Sequence, residues 1–353
     1  MDIVKKRVII KRRGSVFFFA RSISNWGFKR LTKVHVEFEE NLASVKTPNN
    51  IFLYTGLHKS LWETTGILSA LHHNKLPIPL VGMGDNLIKG KLFVNLAKRT
   101  GTLFLVKRGK TRRELVESAQ MLKKYIFSLI VYGKDTLLFP EGTRKNIPTT
   151  GQYGKFFPTA FDALLEYEKS KKEIVESNHG LSENSTFIVP FNIDYSRVRE
   201  AYELTGYNAN APRTLRVWDS LKMLKNIKDV YISFGKTIKV SDHLEKNRKE
   251  LAVLVREKCL DLVKILPVNI VSLGILDSIS EKSTDNEIII KNIKKRIFEL
   301  KHLKDKFRGF SASDDPNLIL SKVAEQNSDF KDIATSKYAI YKLYADYINH
   351  YIS

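Results

Sequence analysis

Ile51-Phe-Leu-Tyr-Thr55-Gly-Leu-His58-Lys-Ser-Leu-Trp-Glu63 is the stretch that decides the fold, because an apolar run stops there at a histidine. Residues 51–55 are rich in β-branched and aromatic side chains, which predicts a buried strand, and residues 64–73 have a helical pattern. Residues five apart in a regular helix lie roughly 140° from each other around the axis. His58 and Glu63 therefore meet only if His58 lies in the turn and Glu63 lies in the first turn of the helix.

The histidine and the carboxylate have two interpretations. A carboxylate that holds one imidazole nitrogen lets the other nitrogen act as a general base on an attacking hydroxyl. Ser60-Leu-Trp-Glu63 is also a capping-box pattern, in which Glu63 folds back to the backbone amide of Ser60. This stretch alone does not choose between the two.

Strand and helix patterns alternate between residues 50 and 240. The strand candidates are 51–55, 78–81, 102–106, 136–139, 186–193 and 230–234, and the helix candidates are 64–73, 86–99, 111–132 and 156–169. Such alternation predicts an α/β fold with a mainly parallel central sheet flanked by helices. Functional sites in these sheets gather at the carboxyl ends of strands, where His58, Lys107, Arg108 and Glu141–Arg144 all fall.

Three regions are expected. Residues 1–48 form a basic, aromatic-studded N-terminal segment, which is either membrane-associating or a β-hairpin packed on the domain edge. Residues 49–240 form the catalytic domain, and residues 241–353 form a helical C-terminal subdomain. Its helices are predicted at 244–266, 287–306 and 331–352, and the last one carries a tyrosine stripe that is typical of core packing.

The composition restricts the partners and the compartment. The net charge of +21 implies an anionic partner. Because no helix-turn-helix, zinc-ligand or RNA-recognition pattern accompanies it, we expect an anionic membrane surface and phosphorylated substrates, and not nucleic acid. Cys259 is the single cysteine, which fits a reducing compartment and predicts a packed thiol.

No stretch has the roughly 18 to 20 uninterrupted apolar residues that a spanning helix needs. We therefore expect a cytoplasmic protein that is peripheral on the cytoplasmic face of a membrane. No metal site is expected, because the adjacent His72 and His73 point in different directions on a helix.

Four short blocks follow one another along the chain. They are His58 to Glu63, Gly101-Thr-Leu-Phe104-Leu-Val-Lys107 followed by Arg108, Phe139-Pro-Glu141-Gly142-Thr143-Arg144, and Phe187-Ile-Val-Pro190-Phe. Their order resembles that of the glycerophosphate acyltransferase superfamily, in which the blocks are His-x4-Asp, Gly-x-x-Phe-x-x-Arg, Phe-Pro-Glu-Gly-Thr-Arg and an apolar segment containing Pro. The third block is complete and is the most specific. His58-Lys-Ser is similar to the His-Arg-Ser of the branch that acylates glycerol 3-phosphate or dihydroxyacetone phosphate.

This resemblance implies acyl transfer from a thioester, acyl-CoA or acyl-carrier protein, to the sn-1 hydroxyl of glycerol 3-phosphate in phospholipid biosynthesis. His58 is then the general base and Glu63 its partner, with no acyl-enzyme and no cofactor beyond the thioester co-substrate. The substrate-binding residues that it implies are Lys59, Phe104, Lys107, Arg108, Glu141, Gly142, Thr143, Arg144 and Pro190. Arginine and lysine suit a phosphate, while Glu141 either orients a substrate hydroxyl or holds Arg144.

Three positions depart from the family blocks. Glu63 replaces Asp, and its additional methylene moves the carboxylate by roughly 1.5 Å unless the turn adjusts. Lys107 stands where Arg is usual, and Lys145 replaces a common Ser. Two alternatives stay open, acylation of lysophosphatidate at the second position and a catalytically weakened, basic protein that binds membrane or nucleic acid.

Overall fold

A computed structural model describes residues 33–60, 63–84, 103–106, 111–142, 150–177, 183–198, 201–205 and 229–352. The strands are β1 (Lys33–Phe38), β2 (Asn50–Gly56), β3 (Leu80–Gly84), β4 (Leu103–Val106), β5 (Thr136–Leu138), β6 (Ser185–Tyr195), β7 (Asp229–Phe234) and β8 (Ile238–Lys239). The helices are α1 (Leu42–Val45), α2 (Glu63–His73), α3 (Arg112–Val131), α4 (Thr159–Ser177), α5 (Ala201–Thr205), α6 (Arg248–Asp261), α7 (Pro267–Ser280), α8 (Asn286–Leu300), α9 (Pro316–Gln326) and α10 (Tyr338–Asp346). The predicted helix at 86–99 lies outside the described residues.

The strands of the described residues form one sheet in the order β1-β7-β6-β2-β5-β3-β4, with β8 paired to β6. The five strands from β6 to β4 are parallel to one another, whereas β7 runs antiparallel to β6 and is parallel to β1. In β2 the residues from Ile51 to Gly56 are all buried, which explains why its sequence is continuously apolar and does not alternate. The predicted α/β class with a mainly parallel sheet is confirmed.

The sheet begins earlier in the chain than the predicted catalytic domain. β1 pairs with β7 over its whole length, from the Lys33–Asp229 pair to the Phe38–Phe234 pair. Part of the expected N-terminal segment is thus an edge strand. Residues 1–32 lie outside the described residues, so the membrane-associating role of that segment stays a prediction.

The C-terminal region is helical, as predicted, but its boundaries differ. The helix expected to end at Leu266 ends at Asp261, and a second helix starts at Pro267, because proline lacks the N–H that a helix interior needs but suits a first helical position. This second helix, α7, packs against α8, α9 and α10. Helix α9 had no counterpart in the prediction. No helix within the described residues has the length and apolar character to cross a bilayer.

The middle of the tyrosine stripe lies in the core, as its spacing predicts, whereas Tyr338 is exposed and Tyr351 is half-buried. Tyr341, Tyr344 and Tyr347 are buried. The Tyr344 hydroxyl accepts a hydrogen bond from the backbone N–H of Val198, at 2.9 Å, and thereby ties α10 to the segment that follows β6. The predicted packed thiol is also confirmed, since Cys259 is fully buried and burial raises the pKa of its thiol. The helical region therefore shares a core with the sheet.

Candidate active site

The turn after β2 starts with a close approach of two strands. Gly56 is paired with Phe191 of β6. A Cβ atom on Gly56 would lie 2.5 Å from both the ring and the carbonyl oxygen of Phe191, so only glycine fits. Beyond this point the chain leaves the sheet through Leu57–Ser60, and α2 begins at Glu63. His58 is therefore in the turn and Glu63 in the first turn of the helix, as the five-residue spacing requires.

His58 and Glu63 form a hydrogen-bonded pair. The Nδ1 atom of His58 lies 2.6 Å from Oε2 of Glu63, and the two side chains are 16% and 1% exposed. The longer glutamate thus reaches the imidazole in this turn although the family block has aspartate. Nε2 of His58 has no hydrogen-bond partner among the described residues. The carboxylate selects the tautomer in which Nε2 carries the lone pair, which is the form that a general base needs.

Glu63 also caps the turn. Its other oxygen, Oε1, accepts hydrogen bonds from the backbone N–H groups of Lys59 and Ser60, the second at 2.9 Å. The capping contact is therefore present in the same side chain as the histidine contact on which the general-base interpretation depends. One oxygen satisfies the backbone at the start of the helix, while the other orients the histidine. The carboxylate cannot rotate without breaking one of these sets of bonds.

Aromatic packing fixes the histidine ring on its other side. The ring stacks on Phe139, with centroids 4.5 Å apart and planes at 20°. Phe139 follows β5 and packs edge-on against Phe191. Because β2 and β5 are adjacent parallel strands, their carboxyl ends lie at the same edge of the sheet. This confirms that His58 and the Phe139–Gly142 block meet at one edge.

Glu141 holds the same turn through its backbone. It is 3% exposed. Its Oε1 accepts a hydrogen bond from the backbone N–H of His58, and its Oε2 accepts one from the backbone N–H of Gly154, both at 2.8 Å. Gly142 follows with a φ of +69°, a left-handed conformation that favours glycine. Glu141 thus has a contact that the sequence did not predict, in addition to the roles proposed for it.

Lys59 and Pro190, two of the predicted substrate-binding residues, contact other parts of the protein. The Lys59 side chain is buried, and its ammonium donates to Asp194, whereas the resemblance implied a substrate ligand. The pairing follows from strand register, since Lys59 and Asp194 each come three residues after the Gly56–Phe191 pair. Pro190 lies opposite Thr55 in the sheet, and its carbonyl accepts from the N–H of Gly235 at 2.9 Å. A substrate-binding role for Pro190 stays a prediction.

The remaining predicted site residues are only partly described. Phe104 lies in β4, where its backbone is paired with Gly82 of β3. Lys107, Arg108, Thr143 and Arg144 lie outside the described residues. Among the described residues, no group of three or more His, Cys, Asp and Glu side chains is placed to hold a metal ion.

The sequence interpretation missed Asp194 and Gly154. Asp194 had a signal, because a carboxylate inside the apolar strand 185–195 must find a buried partner. Gly154 had none, since its contact is made by the backbone.

Comparison with known proteins finds one family model and two curated relatives with similar sequence. Residues 33–194 match the family model described as Acyltransferase. The glycerol-3-phosphate acyltransferase of Alteromonas mediterranea is 24% identical over 243 residues, covering 67% of this chain and 27% of that protein. The glycerol-3-phosphate acyltransferase of Pseudoalteromonas translucida is 22% identical over 237 residues, covering 65% and 27%. This chain therefore aligns with about a quarter of the length of these curated relatives.

Proposed function

We propose that the chain transfers an acyl group from a thioester to the sn-1 hydroxyl of glycerol 3-phosphate, starting from the match of residues 33–194 to the family model described as Acyltransferase. The observation that carries the proposal is the 2.6 Å contact between His58 and Glu63 at the carboxyl edge of the sheet. The names of the two bacterial relatives support the acceptor. The complete Phe139–Arg144 block supports the same family of reactions.

The chemical step uses the free nitrogen of His58. Nε2 removes the proton of the acceptor hydroxyl as the oxygen attacks the thioester carbonyl, and Glu63 stabilises the imidazolium that forms. The tetrahedral intermediate then collapses by breaking the carbon–sulfur bond. The imidazolium returns its proton to the leaving thiolate, so free thiol and ester are the products and the base is regenerated. No acyl-enzyme forms.

Charge supports an anionic acceptor and an anionic surface. The chain has a formal net charge of +21. Lys107, Arg108 and Arg144 bind the phosphate in this proposal, since a guanidinium engages phosphate with two parallel hydrogen bonds. Acyl-CoA or acyl-carrier protein is the donor, and the protein is peripheral on the cytoplasmic face of an anionic membrane.

Product analysis tests the acceptor. The protein is incubated with palmitoyl-CoA or palmitoyl-acyl-carrier protein and either radiolabelled glycerol 3-phosphate or radiolabelled lysophosphatidate, and the lipids are separated. We expect lysophosphatidate from glycerol 3-phosphate. If the protein forms only phosphatidate, from lysophosphatidate, the acceptor is lysophosphatidate and not glycerol 3-phosphate. If neither product forms with either donor class, and the protein binds anionic vesicles in a salt-sensitive way, the proposed catalytic function is wrong and the chain is a basic membrane-binding protein.

A further inference from the structure

Two lysine–aspartate pairs stand at opposite ends of β2, one half-buried and one buried. At the amino end, the ammonium of Lys46 lies 2.7 Å from Oδ1 of Asp135, and the two side chains are 11% and 7% exposed. At the carboxyl end, Lys59 pairs with Asp194, and these side chains are 1% and 6% exposed. The first pair lies at the edge of the sheet away from His58. The second belongs to the turn that carries His58.

The ammonium of Lys59 lies in a cage of aromatic rings and carboxylate. Its Nζ atom is 5.5 Å from the ring centroid of Tyr153 and 5.4 Å from that of Tyr347. The hydroxyl of Tyr153 donates to the carbonyl of Tyr347 at 3.0 Å, which joins the two walls of the cage. A buried charge persists only where a partner and hydrogen bonds compensate for lost hydration. The cage thus fixes where the Lys59 side chain ends.

The C-terminal region supplies much of this cage. Tyr347 follows α10 directly, and Oδ2 of Asp194 accepts the backbone N–H of Lys264 at 2.8 Å. Arg256 of α6 donates to the carbonyls of Tyr153 and Gly154, at 3.0 and 2.8 Å. The helical region is therefore connected to the catalytic turn by side chains and by backbone.

Lys59 is held at both of its ends. Its backbone N–H donates to Glu63, the same carboxylate that binds Nδ1 of His58. Its side chain is anchored on Asp194. Because Lys59 directly follows His58, a movement of Lys59 displaces the imidazole relative to Glu63. A displacement of about 1 Å in such a site costs about 100-fold in rate.

We propose that Lys59 is a positioning residue, whose buried ion pair with Asp194 between Tyr153 and Tyr347 locks the turn in which His58 reaches Glu63. The C-terminal helical region then helps to position the catalytic histidine, because it contributes Tyr347 to this cage. This inference rests on the proposed function for its kinetic readout, and on the geometry alone for its spectroscopic readout.

The test compares the two ends of β2. Lys59→Met and Lys59→Met with Asp194→Asn are measured beside Lys46→Met and Lys46→Met with Asp135→Asn. Each single variant leaves one aspartate without its cation, so both are destabilised in urea unfolding, the Lys59 variant more because Asp194 is buried and Asp135 is half-buried. Each double variant removes both charges and recovers part of that stability. We expect kcat to fall about 100-fold in the Lys59 variants, with KM within threefold of wild type, and to stay within threefold in the Lys46 variants.

The second readout is the tautomer of His58. Nitrogen-15 spectra of protein labelled at its histidine imidazoles report which ring nitrogen carries the proton, with His58→Ala identifying the signal. We expect the Nδ1–H form in wild type and in the Lys46 variants, and a mixture of tautomers in the Lys59 variants. This readout stands even if the wild type transfers no acyl group, in which case only the proposed function fails.

Two outcomes overturn the proposal. A folded Lys59→Met with Asp194→Asn variant that keeps wild-type kcat and the Nδ1–H tautomer shows that the pair does not position His58. If both Lys59 variants fail to fold while the Lys46 variants fold, Lys59 is needed for the stability of the fold and not specifically for the position of His58.

Discussion

Replacing Glu63 with glutamine tests whether the carboxylate selects the tautomer of His58. The outcome is decided by the orientation of the new amide. Oε1 of Glu63 accepts two backbone N–H groups, those of Lys59 and Ser60. An amide N–H₂ placed there would face two donors, so the amide oxygen of the variant must occupy this position. The amide nitrogen then points at Nδ1 of His58 and donates to it.

This orientation of the amide reverses the tautomer of His58. Once Nδ1 accepts a hydrogen bond, Nε2 carries the proton and can no longer remove one from the acceptor hydroxyl. The equivalent change in a Ser-His-Asp triad lowers kcat by about 10⁴, which corresponds to about 5.4 kcal/mol of transition-state stabilisation. Because the two backbone hydrogen bonds are retained, the free energy of unfolding changes by only about 1 kcal/mol.

The assay is release of free CoA, followed with a chromogenic thiol reagent. Cys259, the single cysteine, is fully buried, so the protein adds little to the signal. Glu63→Asp is the matched variant, since it keeps the charge but shortens the side chain by roughly 1.5 Å. We expect it to lower kcat less than Glu63→Gln does. A folded Glu63→Gln variant with kcat within tenfold of wild type would refute the reasoning and leave Glu63 as a helix cap.

Three further changes probe the scaffold. Gly56→Ala places a Cβ atom 2.5 Å from the Phe191 backbone, and we expect urea unfolding to show a loss of about 3 kcal/mol or more. Glu141→Ala removes the acceptor of two part-buried N–H groups, so we expect a loss of about 1 kcal/mol for each and a fall in kcat of about 100-fold. Glu141→Gln, which keeps one acceptor, is the milder control in the same assays. Arg308 hydrogen-bonds Glu37 and lowers the pKa of that carboxyl from 4.5 to about 2. Stability from this pair is present above pH 4.5 and is lost as the pH falls toward 2. The difference in free energy of unfolding between wild type and Glu37→Gln, about 1 kcal/mol for a partly exposed pair, therefore narrows in that window, as urea unfolding at several pH values measures.

The sequence predicts the centre of the sheet well and its edge poorly. β2 and the centre of β6, from Phe187 to Phe191, are apolar runs whose strand character is readable from the local sequence. β1, with the sequence Lys-Val-His-Val-Glu-Phe, is a strand because it pairs with β7, a partner almost 200 residues away. Local patterns carry no information on such a pairing.

The site shows the same division. The spacing of His58 and Glu63 defines the one local geometry in which residues five apart meet across the start of a helix, and the structure has that geometry. The pair of Lys59 with Asp194 depends on the register between β2 and β6, which is set by packing over the whole sheet. The bond from Glu141 to the backbone of His58 joins two strand ends, and its geometry is visible only when the sheet is assembled.

The measurement that most directly tests the central claim is release of free CoA from palmitoyl-CoA with glycerol 3-phosphate, by wild-type protein and by His58→Ala. His58 contributes only its ring to the contacts with Glu63 and Phe139, so the variant is expected to fold, which circular dichroism checks. We predict release by the wild type that depends on glycerol 3-phosphate, and at least a 10³-fold loss in the variant, roughly as for removal of a catalytic histidine. Equal release by the two folded proteins would contradict the account of His58 as the base.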